Sequence, residues 1–111
     1  MFGQNLPDNF PVIDRFINGV ATSIKSIDLR APTYENISIL TRTVREYISV
    51  LVNWQGEERW AGITIETVQI RARELLLAIP PEITQAQVAG LQELQQWAAK
   101  AGVILNIRVV P

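Results

Sequence analysis

Cysteine and histidine are both absent from this chain. Without cysteine there are no disulfides, no thiolate zinc sites and no thiol nucleophile. Without histidine there is no Ser-His-Asp triad and no imidazole general base. Any metal must be held by carboxylates, carbonyls and water, which favours a hard ion such as Mg²⁺ or Mn²⁺. Long apolar runs are missing too, so no segment reads as a membrane span, and the opening MFGQNLPDNFP has neither the basic nor the apolar region of a secretory signal. The expectation is a cytoplasmic protein with no membrane partner. No glycine-rich loop follows a strand, so nothing cradles a nucleotide. The net charge of −1 gives no global attraction to a polyanion. What the chain has is 48% hydrophobic residues in 111, enough for one domain, residues 1–111, with a packed core.

Periodicity supplies the elements. Val12 to Ile17 is β-rich and is followed by Asn18-Gly19, a strong hairpin signal because a type I′ turn needs positive φ at both positions. The return strand is expected over 20–29. A two-residue loop pairs positions whose numbers sum to 37, so Asp14 should face Ser23 and Val12 should face Lys25. Asp14, Ser23 and Lys25 then share one face. Residues 33–53 carry an apolar stripe of Ile37, Leu40, Val44, Ile48 and Leu51, a helix opening at Pro32-Thr33. Residues 56–62 read as a polar loop, and 63–70 fits a short strand or a turn of helix. The run 71–79, apolar on both faces at Leu75 to Ile79, reads as a central strand covered by helices on each side. Thr84 and Gln87 form a capping box for a helix that ends at Gly102, before a last strand over 103–110. The order is β-β-α-β-α-β, an α/β fold with a mixed sheet, the last two strands parallel.

An Asp on one strand, facing a polar residue with a Lys two positions further on the next, is the skeleton of a metal-dependent nuclease site. The Asp can hold a divalent ion against a scissile phosphate, and the Lys can orient water or neutralise developing charge. The plainer reading is a solvated cross-strand pair. Other features have structural explanations. Trp54, Trp60 and Trp97 are too scattered for a base-stacking platform. Arg42 and Arg45 read as a solvated helix face, and Glu57-Glu58 as a loop charge pair.

The segments Asn9 to Asp14 and Gly19 to Leu29, with Ala31-Pro32-Thr33-Tyr34 and the strand Ile70 to Pro80, resemble nuclease toxin domains. These are the C-terminal domains of contact-dependent growth inhibition and filamentous-haemagglutinin-like exoproteins, in the PD-(D/E)xK superfamily. The resemblance spans roughly residues 9 to 110 and is most specific at Ala21-Thr22-Ser23-Ile24-Lys25-Ser26. It implies a restriction-endonuclease-like fold. The implied activity is a metal-dependent endonuclease that hydrolyses phosphodiester bonds of DNA or tRNA, with a cognate immunity protein as partner. By the same resemblance Asp14 matches the metal-binding Asp and Lys25 the catalytic Lys. Ser23 stands where the wider superfamily has a second acidic ligand, and Arg73 matches a basic, phosphate-binding position. The cofactor implied is Mg, Mn or Zn.

One departure from the family pattern matters. The family has a helix before the hairpin that supplies an acidic metal ligand, and here Asp14 stands too near Met1 for such a helix. The site then has one carboxylate and poor metal affinity. Two arrangements follow: a homodimer that lends a carboxylate across its interface, or an inactive remnant of the fold that serves as a binding or interaction module.

Overall fold

The computed structural model describes residues 3–111. Asn18 and Gly19 both take left-handed backbone, at φ 53° and 81°, and join β1 (Arg15–Ile17) to β2 (Val20–Ser26). The pairs are Arg15 with Thr22, Phe16 with Ala21 and Ile17 with Val20, each summing to 37. The ladder stops there. The expected pairs Asp14–Ser23 and Val12–Lys25 do not form, because Val12 turns to φ 66° and the Ile13 N–H bonds back to the Pro11 carbonyl at 2.7 Å. β2 also ends at Ser26, short of Leu29.

The next helix begins where its apolar stripe begins and not at the expected start, Pro32-Thr33. Pro32–Glu35 form a 3₁₀ turn, and α1 runs Ile37–Asn53 with the Asn36 side chain accepting the Ser38 N–H at 3.0 Å. That bond satisfies one of the donors a helix start leaves free, which is why the boundary falls at Asn36. Leu40, Val44, Ile48 and Leu51 are buried as the stripe predicts. The expected polar loop is a hairpin instead, β3 (Glu57–Trp60) and β4 (Ile63–Ile65), forming its own two-stranded sheet. Ala61-Gly62 makes its turn with positive φ at both residues. Trp60 meets the Phe10 ring edge-on at 5.7 Å, so an aromatic contact holds the neighbourhood that polarity alone left open.

β5 (Ala72–Ile79), α2 (Gln85–Lys100) and β6 (Val103–Val109) follow as expected, with the Thr84–Gln87 capping box present and Gly102 at φ 86°. The sheet order is β1-β2-β5-β6, with β2, β5 and β6 parallel and β1 antiparallel. The chain order is thus β1-β2-α1-β3-β4-β5-α2-β6, the expected series with a hairpin inserted. Both crossovers step in the same direction across the sheet. Right-handed connections then put both helices on one face. α1 and α2 pack on each other and share a core with Ala21, Leu75, Leu77, Ile79, Val103 and Leu105. The expectation of a helix on each side of β5 is therefore corrected: one face is covered and the other carries none.

The open face is not bare. Glu74 Oε1 accepts from Arg15 Nη2 at 3.0 Å and from Thr22 Oγ1 at 2.9 Å, and Oε2 accepts from Asn106 Nδ2 at 3.1 Å. Leu76 and Ala78 on this face are still only 4% and 6% exposed, since β5 is flanked on both sides by strands. Beneath the helices the buried Gln87 completes the fold. Its Nε2 donates to the carbonyls of Leu29 and Tyr34, both at 3.0 Å, tying α2 to the β2–α1 connection. Among the described residues no helix is long and apolar enough to cross a membrane.

The two faces of β5 should respond differently to truncation. Leu77→Ala removes a fully buried side chain from the helix-covered core and should cost about 2–5 kcal/mol. Leu76→Ala, outside that cluster, should cost about 1–2 kcal/mol. Urea denaturation of the two variants measures the difference, and equal losses would contradict one-sided packing.

Candidate functional site

Asp14 sits where the hairpin ladder breaks, and the break turns it toward β2. Its N–H donates to the Thr22 carbonyl at 2.8 Å, one residue short of Ser23. Its Oδ2 accepts the Ile24 N–H at 2.7 Å. In a continuous antiparallel ladder that N–H would go to the Ile13 carbonyl. The carboxylate has taken the carbonyl's place, and it is fixed against the residue between Ser23 and Lys25. The Asp14 carbonyl in turn accepts from the N–H groups of Asn5 and Leu6 at 3.2 and 3.1 Å. Asn5 adds a side-chain clasp across β1, accepting the Phe16 N–H at 2.9 Å and donating to the Phe16 carbonyl at 3.2 Å. Val12, β-branched and at φ 66°, is in a region such residues rarely enter. Such strain costs of order 1–3 kcal/mol and persists only where the surroundings hold it.

Ser23 and Lys25 alternate with Thr22 and Ile24 and so face the helices. Ser23 pairs with Leu75 and is buried; Lys25 pairs with Leu77 and is half-buried. The Lys25 Nζ lies 5.5 Å from the centroid of the Tyr47 ring on α1. Among the described residues it forms no ion pair, with Asp14 or any other carboxylate. Asp14, Ser23 and Lys25 are thus gathered about Ile24. The carboxylate and the ammonium have different partners and make no ion pair with one another.

Arg73 stands apart from the three. It lies on the same face two residues before Leu75, but its Nη2 donates to the Trp54 carbonyl at 2.9 Å and its Nε is buried without a partner. The guanidinium therefore meets the carbonyl end of α1, where a cation is favoured by the helix dipole. Thr22 is fully buried on the opposite face, bound to Glu74. Tyr47 escaped sequence reasoning altogether. It falls beside the apolar stripe, three residues after Val44 and four before Leu51, where an aromatic reads as packing.

The protein donors for a metal are few. Among the described residues no group of three or more His, Cys, Asp or Glu side chains converges. Glu74, the nearest acidic residue in register, is on the opposite face and spent on Arg15, Thr22 and Asn106. One Asp14 oxygen and the Ser23 hydroxyl fit an ion that takes most of its ligands from water and substrate phosphate, as Mg²⁺ commonly does.

The Asp14 clasp carries a stability prediction. Asp14→Ala leaves the Ile24 N–H without its charged acceptor and should cost about 1.5–3 kcal/mol. Asp14→Asn keeps an acceptor oxygen and should lose less than half as much. Thermal melts and hydrogen exchange at the Ile24 amide report both, and unchanged protection in the alanine variant would show the bond to be idle.

Three comparisons with known proteins agree with this architecture. The family described as CDI toxin restriction endonuclease-like domain matches residues 1–108. The chain is similar to a deoxyribonuclease CdiA of Yersinia pseudotuberculosis serotype O:3 (strain YPIII), 25% identical over 111 residues. That match takes in 97% of this chain and only 10% of the relative, so the chain spans about a tenth of the longer protein. Its fold is similar to a solved chain of the CdiA-CT/CdiI toxin and immunity complex from Yersinia pseudotuberculosis. The TM-score is 0.82 at 25% identity, covering 98% of this chain and 90% of the other. With nearly its whole length matched and the mixed sheet and hairpin in place, the chain belongs to the family of CDI toxin restriction endonuclease-like domains.

Proposed function

We propose that this domain hydrolyses phosphodiester bonds of DNA with the help of a divalent ion, using Asp14, Ser23 and Lys25. The observation that carries the reading is the clasp of Asp14 on the Ile24 N–H. It fixes a carboxylate between Ser23 and Lys25 while leaving the lysine ammonium without a counter-ion among the described residues. The similarity to a deoxyribonuclease supports DNA rather than tRNA as substrate. A bound ion would supply charge neutralisation at the scissile phosphate and acidify water. Asp14 would hold that ion through the oxygen that Ile24 leaves free. The Ser23 hydroxyl completes the polar wall beside it and orients a water. Lys25 meets the charge that builds on the phosphate oxygens, a task that needs a preorganised cation where no histidine exists. Arg73 is given a supporting part, holding the end of α1, because its donors point to Trp54 and into the protein. A cognate immunity protein is the expected partner, supported by the complex in which the similar toxin was solved.

The alternative, an inactive domain that keeps the fold for binding, is favoured because no group of three or more acidic side chains converges among the described residues. Plasmid DNA and total tRNA, incubated with Mg²⁺, Mn²⁺ or Zn²⁺ and with chelator, separate the two. Cleavage of DNA should require a metal and should fall about 10²–10³-fold in Asp14→Asn and in Lys25→Met. The Asn variant keeps the fold, so its loss reports chemistry. Activity that survives both substitutions, or chelation, would move the reaction elsewhere. A folded wild-type protein inactive with every metal would establish the binding module.

A further inference from the structure

Lysine is a long, flexible side chain, and a catalytic ammonium that wanders is of little use. Holding one usually takes a carboxylate, but a carboxylate would cancel the charge the phosphate needs. Lys25 is held differently. Its Nζ stands 5.5 Å from the Tyr47 ring centroid, within the distance of about 6 Å at which a ring face attracts a cation. Tyr47 is itself well rooted. It rises from α1 beside the fully buried Val44, Ile48 and Leu51, and its ring packs against the core together with Tyr34. Burial pushes the Tyr47 phenol up from its ordinary value, and the neighbouring Tyr34 and Glu46 add to the shift, so the ring stays neutral. The Asp14 carboxylate is drawn to the Ile24 N–H and makes no ion pair with Lys25.

We infer that Tyr47 is a positioning residue for the nuclease reaction: its ring face seats the Lys25 ammonium and holds it clear of Asp14. The inference rests on the reading of Lys25 as part of a phosphodiesterase site and extends it to a residue on another element. It is the ring, not the hydroxyl, that does this, since no hydrogen bond joins the Tyr47 hydroxyl to Lys25. Leucine at position 47 would fill much of the volume without attracting a cation, whereas phenylalanine would keep the attraction.

The test uses the intact chain with Tyr47→Phe, Tyr47→Leu and Lys25→Met. In ¹H–¹³C spectra the ring current should shift the Lys25 ε-methylene upfield in the wild type and in Tyr47→Phe, and the shift should vanish in Tyr47→Leu. On plasmid DNA with the activating metal, Tyr47→Leu should lose roughly 3- to 30-fold in kcat with KM little changed. Tyr47→Phe should stay within about threefold of wild type. A Lys25 methylene with no upfield shift in the wild type would overturn the seat. So would a Tyr47→Leu variant that cleaves at the wild-type rate while Lys25→Met does not cleave. If Lys25→Met cleaves normally, the failure lies with the nuclease assignment of Lys25, and the methylene shift still decides whether the ring holds it.

Discussion

One carboxylate ties the four-stranded sheet together on the side that no helix covers. Glu74 on the central strand receives Arg15 from β1, Thr22 from β2 and Asn106 from β6, a bond to every other strand in the sheet. A half-buried carboxylate is costly unless its oxygens are satisfied, and here both are. The arrangement lets an α/β sheet tolerate one uncovered face. Parallel strands are normally buried on both sides. In this chain the crossovers place both helices together, so the open face needs cross-strand polar bonds where a second helix layer would otherwise pack. The same network occupies both carboxylate oxygens of Glu74 on the face opposite Ser23 and Lys25.

The site is built by departures from regular structure. Had the hairpin ladder run on, the Asp14 N–H would point away from β2 and its carboxylate would stand off the sheet surface. The turn at Val12 and the slip at Thr22 rotate the residue so that its side chain does the work of a backbone carbonyl. Lys25, by contrast, stays in register on an unbroken strand, with its Nζ over the Tyr47 ring. The two charges are brought close by β2 and kept separate by the Ile24 amide on one side and an aromatic ring on the other.

Much of this was legible in the residues, for identifiable reasons. Asn18-Gly19 set the hairpin and the Thr84–Gln87 pair set the start of α2, because turn and cap chemistry is local. Alternation placed Ser23 and Lys25 together for the same reason. The β3–β4 hairpin was hidden because Glu57, Glu58 and Arg59 look like a loop, and its anchor is a contact between Trp60 and the distant Phe10. The covered face of the sheet could not be read from Leu75 to Ile79, since strand burial on both sides does not say whether a helix or a neighbouring strand provides it. Asp14 does not take the expected pairing: the sum rule holds only while both strands remain extended, and a β-branched residue in left-handed backbone is not a feature that pattern announces.

The Asp14 clasp spans ten residues of chain, and all of it lies within the hairpin and its approach. The Tyr47 contact joins β2 to a helix that must first form and then dock, and β5 must find β2 across the whole intervening segment. Short-range closures come early and long-range ones late in the assembly of a small domain. The acidic half of the proposed site can therefore take shape while the chain is still largely unfolded, but the basic half exists only once tertiary structure is complete. The two halves of the proposed site thus mark separate stages of folding. A chain caught between those stages would hold its carboxylate in place beside a lysine that nothing yet restrains.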